Sequence, residues 1–379
     1  MKICIITQPL KSNYGGLIQA YALQHTLKKM GHQVVTARDS VVRKRFNIKP
    51  IYFIYYAYKR YLRGDRRFNP YRFMFKRFGH NIEEQERYAT QQCQDFTEQY
   101  ISTIELFTHP REIIAKYDAV IVGSDQVWRA EYAYPPTYFL DFTAGINIKR
   151  LAYAASFGLS SLDGYSPKMI EQCHALAQQF DAISVREKSA IELCSKYLGV
   201  TSTLIADPVV LLTPAEYDTL IGDNTSEPAL VSYILDSSPT KQAICEQVES
   251  LTSLKVKALA PEKRLNEKWE NIDQCRFCAP QEWLASLRTA KFVVTDSFHG
   301  ALFAIMFERE FVVIDNSERG SERFNSLLES LSLEDRRVSS PKDITHALTS
   351  QKIDYKRVNS IIETMRTTAK EWLKEQIEK

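Results

Sequence analysis

Short apolar runs alternate with amphipathic stretches along most of this chain. Residues 2–7 form a largely apolar run, followed by Ser12-Asn13-Tyr14-Gly15-Gly16. Leu17, Ala20, Tyr21, Leu23, Gln24 and Leu27 then fall at helical spacing, and Gly31 stops the helix. Residues 33–37 read as the next strand, so the chain opens as a strand–helix–strand unit. Further strands are expected at 118–122, 150–155, 182–185 and 203–205, with helices at 166–180 and 187–197 between them. A second series begins with a strand at 229–235. It continues as helix 240–254, strand 255–259, helix 281–290, strand 291–295, helix 301–307 and strand 311–314. Alternation of this kind predicts an α/β fold with parallel, doubly wound sheets.

Pro214, Gly222 and Pro228 interrupt the pattern between 212 and 228. The expected division is a first domain at 1–212, a second at 213–353 and a long helix at 354–379 that packs back on the first domain. A chain of 379 residues accommodates two domains of ordinary size. No run of 18 apolar residues occurs, so no membrane-spanning helix is expected. The N-terminal apolar run is too short for a signal peptide. Seven cysteines, an odd number without an export signal, fit a reducing, cytoplasmic compartment. Cys275-Arg276-Phe277-Cys278 lacks the second pair or the close histidines that a zinc site needs. No metal site and no cofactor are expected.

One segment departs from the rest. An insertion at about 43–100 begins with a basic, aromatic stretch. Residues 43–77 hold twelve Lys and Arg against the single acid Asp65, a net of +11 in a chain whose total is +3. Tyr and Phe interleave with these charges through Phe78. Such a stretch suits an anionic membrane surface, where rings sit among headgroups and cations meet lipid phosphate. It is equally well read as a helical pair with core aromatics and a solvated basic face. No nucleic-acid-binding motif accompanies it, so no nucleic-acid partner is expected.

Three strand ends carry polar groups suited to chemistry. The first is Gly123-Ser124-Asp125-Gln126-Val127-Trp128. There Asp125 and Gln126 suit sugar hydroxyls or proton removal, and Trp128 offers a face for a sugar ring. The second is Val185-Arg186-Glu187, where the arginine suits a bidentate grip on carboxylate or phosphate. The third is Thr295-Asp296-Ser297-Phe298-His299-Gly300. It places a proton-transfer side chain beside a helix N-terminus that attracts anions. Each also has a plainer reading, as an Asx turn over a core tryptophan, a local salt bridge or a capped helix. Three at strand ends in two inferred domains point to an interdomain cleft.

The ordered series Tyr14-Gly15-Gly16, Gly123-Ser124-Asp125-Gln126-Val127-Trp128, Tyr153-Ala154-Ala155-Ser156-Phe157-Gly158, Ser184-Val185-Arg186-Glu187, Asp207-Pro208-Val209 and Asp296-Ser297-Phe298-His299-Gly300 resembles the polysaccharide pyruvyl transferase family. The likeness runs on through Phe311-Val312-Val313-Ile314 and Arg323-Phe324 and covers roughly residues 1–335. It implies two Rossmann-like domains facing a cleft, GT-B-like, with parallel sheets. It also implies transfer of a pyruvyl group from phosphoenolpyruvate to a sugar as a ketal, with release of phosphate. The setting would be capsular, exopolysaccharide or cell-wall glycan biosynthesis. The acceptor would be a sugar or a lipid-linked oligosaccharide; contact with the inner face of the membrane through 43–78 is the expectation drawn from the basic segment itself.

On this likeness His299, Asp125 and Arg186 are the catalytic candidates. Arg186, Ser297, His299, Gly300, Arg319 and Arg323 are the donor-binding ones. Asn13, Tyr14, Gly15, Gly16, Asp125, Gln126 and Trp128 are the acceptor-binding ones. Many members carry an arginine two residues before the histidine, where this chain has Ser297. Arg319 or Arg323 is the expected replacement. The alternatives are a GT-B glycosyltransferase using a nucleotide sugar and a non-catalytic glycan- or lipid-binding protein.

Overall fold

The computed structural model describes residues 1–38, 82–265, 267, 269–316 and 320–379. The basic segment 43–78 and Arg319 both lie outside them. Among the described residues, two parallel sheets carry the fold. The first runs β3-β2-β1-β4-β5-β6-β7. Its strands are β1 (Lys2–Ile6), β2 (Gln33–Ala37), β3 (Thr103–Ile104), β4 (Ala119–Val122), β5 (Lys149–Ala155), β6 (Ala182–Val185) and β7 (Thr203–Leu204). The second runs β12-β11-β10-β8-β9. Its strands are β8 (Leu230–Tyr233), β9 (Val256–Ala258), β10 (Phe292–Thr295), β11 (Glu310–Ile314) and β12 (Arg337–Val338).

The central strands β4, β8, β10 and β11 are buried along their whole length. That is why they read as unbroken apolar runs rather than as alternation: helices cover both faces of a parallel sheet. In each sheet the winding direction reverses once, between β1 and β4 and between β8 and β10. Loops leaving the carboxyl ends of strands diverge at such a reversal and open a crevice.

The two sheets share a core. The helix Tyr14–Lys29 follows β1, and Tyr14 inserts among second-sheet aromatics. Its ring stacks on Trp283 at 5.4 Å between centroids and lies 6.0 Å from Tyr233. Its hydroxyl donates to the Cys278 carbonyl at 3.2 Å. The helix Tyr355–Glu378 bridges both layers. Val358 and Ile362 join the core of the second sheet, whereas Ala369, Trp372, Leu373 and Ile377 pack beneath the first with Ile3, Ile5 and Ile121. Lys149 Nζ donates to the carbonyls of Gln376 and Ile377, closing the end of that helix.

Among the described residues, no helix is long and apolar enough to cross a membrane. All seven cysteines are free, and burial raises the Cys278 thiol to about 11, far from thiolate chemistry.

Candidate active site

The loop after β4 sets the first group. Asp125 sits at φ +70°, a left-handed conformation that a short polar residue tolerates better than most. The loop re-pairs with the end of β5, since Ser156 N donates to Asp125 O at 3.1 Å and Trp128 N to Ser156 O at 3.2 Å. This holds the Asp125 carboxylate over the β1/β4 crevice. Asn13, at the start of the 14–29 helix, donates to it from Nδ2 at 3.4 Å.

Arg186 follows β6 and reaches two carboxylates. Its Nη1 donates to Asp207 Oδ2 at 2.5 Å and its Nη2 to Asp125 Oδ1 at 3.1 Å. Its guanidinium lies 4.5 Å above the centre of the Phe298 ring, so a first-sheet cation rests on a second-sheet aromatic. Arg186 Nε is buried and has no hydrogen-bond partner.

His299 comes from the other sheet. Ser297 caps the helix Phe298–Met306 by accepting from Gly300 N at 3.3 Å. The helix therefore begins three residues before the expected start at 301, and His299 falls in its first turn. Its Nε2 lies 3.4 Å from Asp207 Oδ2, so Asp207 faces both Arg186 and His299. Gly15 closes the opposite side, for a Cβ built there would lie 2.1 Å from His299 Nδ1. Arg323, in the helix Glu322–Leu331, completes the group. Its Nη1 is 4.0 Å from Asp125 Oδ1 and its guanidinium 5.6 Å from the Phe298 ring centre.

Asp125, Arg186, Asp207, His299 and Arg323 are all nearly inaccessible, which makes their charges matter. Burial alone would raise the Asp125 carboxyl, but Arg186, His299 and Arg323 outweigh it and hold it below the usual range. Burial likewise opposes ionisation of Asp207, and His299 and Arg186, with the Val209 N–H, push that carboxyl well down. Burial would lower Arg186, yet Asp207, Asp125 and Glu187 raise it. Arg323 moves the other way, down to about 10, through burial and the neighbouring Arg186. Glu187 accepts from Phe157 N at 2.9 Å and Gly158 N at 3.2 Å, and its carboxyl is raised chiefly by burial.

Asp125, Arg186, His299 and Arg323, read from four separate stretches of sequence, thus meet at the carboxyl edges of both sheets. Asp207 joins them and was not among the candidates. Its Asp-Pro-Val context reads as the start of a short turn, and Oδ1 does accept from Val209 N at 3.0 Å, while Oδ2 faces the site.

Three expectations need correction. Trp128 is wholly buried, stacked on Phe139 at 4.6 Å and donating from Nε1 to the Tyr138 carbonyl, so its ring has no free face for a sugar. Tyr14 is a core residue between the sheets, so it too presents no face to an acceptor. Gly15 and Gly16, expected to bind the acceptor, lie buried in the first turn of a helix, and Gly15 serves close packing against His299.

Other candidates are placed nearby in supporting positions. Gln126 Oε1 accepts from Arg129 at 2.9 Å and its backbone carbonyl from Gln8 at 2.7 Å. Ser297 acts as a cap, and Gly300 allows the helix to approach Thr295, where a Cβ would lie 2.5 Å from Oγ1. Asp296 anchors the loop after β8, accepting from Leu235 N, Lys241 Nζ and Asn316 Nδ2. Among the described residues no cluster of three or more His, Cys, Asp or Glu side chains is arranged to hold a metal ion.

Comparison with known proteins gives two findings. The sequence matches the family described as polysaccharide pyruvyl transferase over residues 13–318. Among solved structures the chain resembles the MnaA–UDP complex of S. aureus, with 12% identity and a TM-score of 0.51, over 95% of this chain and 90% of that one. It also resembles the UDP-GlcNAc 2-epimerase of Methanocaldococcus jannaschii, at 11% identity and a TM-score of 0.48, over 97% and 93%. The first of these likenesses shows a GT-B-type fold. No curated relative matches closely enough to add a further comparison.

Proposed function

The chain belongs to the polysaccharide pyruvyl transferase family, and from that premise we propose that it transfers a pyruvyl group from phosphoenolpyruvate to two hydroxyls of a sugar acceptor, releasing phosphate. The observation that supports this most is the meeting of Arg186, Arg323 and His299 with two ionised aspartates at the reversal points of both sheets.

Phosphoenolpyruvate carries a carboxylate and a phosphate. Arg186 and Arg323 supply cations, and the first-turn amides of the 298–306 helix supply an anion-attracting end. With no arginine at position 297, the second cation comes from Arg323, which shares the Phe298 ring with Arg186. Protonation of the methylene carbon makes the neighbouring carbon electrophilic. One sugar hydroxyl adds there and loses its proton. The second hydroxyl then displaces phosphate, so the two hydroxyl protons replace the one delivered to carbon and the one carried off by phosphate. Asp125, held ionised, takes a hydroxyl proton, and His299 moves the other. Asp207 acts through these groups, fixing the directions of Arg186 and His299. The acceptor belongs to a glycan under assembly, and phosphoenolpyruvate is a substrate rather than a resident cofactor.

Titration calorimetry of the full chain tests this reading. Phosphoenolpyruvate should bind more tightly than inorganic phosphate, and Arg323→Gln should weaken it at least about tenfold, the loss expected for one charge-assisted contact. Binding of a UDP-sugar with no binding of phosphoenolpyruvate would replace this reading with nucleotide-sugar glycosyl transfer.

A further inference from the structure

A cavity of about 320 Å³ borders the site: Arg186, Asp207 and Arg323 line it and Asp125 does not. Two helices flank it. Ser326, Leu327 and Ser330 come from 322–331, and Ile361, Thr364 and Met365 come from 355–378. Leu302 and Val210 form more of its wall, and residues 204–206, at the end of the edge strand β7, form another part. Its walls are mainly apolar except at one end, where Arg186, Asp207 and Arg323 meet beside Phe298. The opposite end reaches solvent at Leu204, Thr364 and Thr368, which are exposed.

The two ends differ in kind. Asp207 is fully engaged, Oδ2 by Arg186 and Oδ1 by Val209 N. Arg186 is 6% exposed and its Nε has no hydrogen-bond partner. A buried guanidinium N–H without an acceptor is costly, and an oxyanion is its natural complement. The cavity as a whole is too large to be a packing defect, since about 150 Å³ already holds benzene. It sits at the lower end of the range of about 300–1,000 Å³ for ligand pockets.

We propose that this cavity is a binding site for a single-chain amphiphile. Its oxyanion head meets Arg186 and Arg323, and its apolar chain lies between the 322–331 and 355–378 helices, leaving past Leu204. The lining favours a chain over a sugar, because beyond Arg186, Asp207 and Arg323 the polar side chains are single hydroxyls, those of Ser326, Ser330, Thr364 and Thr368, set among aliphatic ones. The head would share Arg186 with the donor, so the two ligands exclude one another.

The test is a chain-length series of alkyl phosphates, from methyl to decyl, titrated into the full chain below micelle-forming concentrations. Affinity should climb by up to about fourfold per methylene while the chain enters the cavity, then level off when it is full. Octanol, which lacks the head, should bind at least about tenfold more weakly than octyl phosphate. Thr364→Trp combined with Ser330→Trp fills the cavity from half-exposed or exposed positions. It should flatten the series while leaving methyl phosphate binding unchanged. If the double change fails to fold, Thr364→Trp alone makes the same test. Affinity independent of chain length, octanol binding equal to octyl phosphate, or an unaltered series in the filled variant would each overturn the proposal. The readout is binding alone, so it stands apart from whether phosphoenolpyruvate is the donor.

Discussion

Gly15 and His299 touch across the two sheets, and the contact leaves no room for a methyl group: a Cβ on Gly15 would fall 2.1 Å from His299 Nδ1 and 2.2 Å from Cγ. The glycine lies in a helix first turn, where alanine is ordinarily favoured by about 1 kcal/mol. Space beside the imidazole, not backbone freedom, explains the residue.

Gly15→Ala should therefore displace His299 while the fold survives. Displacing a reacting group by about 1 Å costs on the order of a hundredfold in rate. Phosphate release from phosphoenolpyruvate, with an acceptor that supports turnover, should fall by about that factor, while the melting temperature stays within a few degrees. Undiminished turnover would remove His299 from the chemistry or show that its position is not critical.

Asp207 tests whether the cluster is also a structural unit. It is the shared neighbour of Arg186 and His299, and removing one partner from a buried ion pair costs about 3–5 kcal/mol. Asp207→Ala should destabilise by about that amount in reversible denaturant unfolding. Asp207→Asn, which keeps the shape and one acceptor, should lose less stability and still lose turnover. A stability change of less than about 1 kcal/mol in the alanine variant would mean that Asp125 alone suffices to hold Arg186.

The fold was legible where burial is two-sided. Runs such as Phe292–Thr295 and Ala119–Val122 announce themselves because every position faces a core. The edge strands Thr103–Ile104 and Arg337–Val338 did not, because two residues carry no periodicity. At the site, Asp125, Arg186 and His299 could be read from their places at strand ends. Asp207 could not, since its pairing depends on residues 21 positions before it and 92 after it. Trp128 shows the converse, for a tryptophan beside a polar loop looks the same in sequence whether it faces a ligand or Phe139.

Trp128 accordingly carries a prediction of its own. Its ring is wholly buried, and truncation of a core tryptophan costs about 3–5 kcal/mol. Trp128→Ala should unfold at a clearly lower temperature. Trp128→Phe should lose stability more mildly and keep the acceptor KM unchanged, because the ring touches no acceptor. A rise in acceptor KM for the phenylalanine variant, at unchanged stability, would restore Trp128 to the acceptor site.

The buried carboxylates should write opposite slopes on stability against pH. Asp125 and Asp207 titrate below their ordinary value of 3.8, so the unfolded chain binds protons more readily than the folded one. Their contribution is complete above that value and is lost as pH falls toward the depressed folded values. Glu187 is the reverse case. Its carboxyl is raised above 4.5, so its contribution is complete below that pH and is lost as pH rises through the raised folded value. Glu187→Gln keeps an acceptor for Phe157 N and Gly158 N and removes the titration. Denaturant unfolding across pH 3 to 8 should therefore show the wild-type decline above about 4.5 flattened in this variant, with the acid limb from the aspartates unchanged. The same decline in both proteins would assign it to another group and leave Glu187 as a structural acceptor alone.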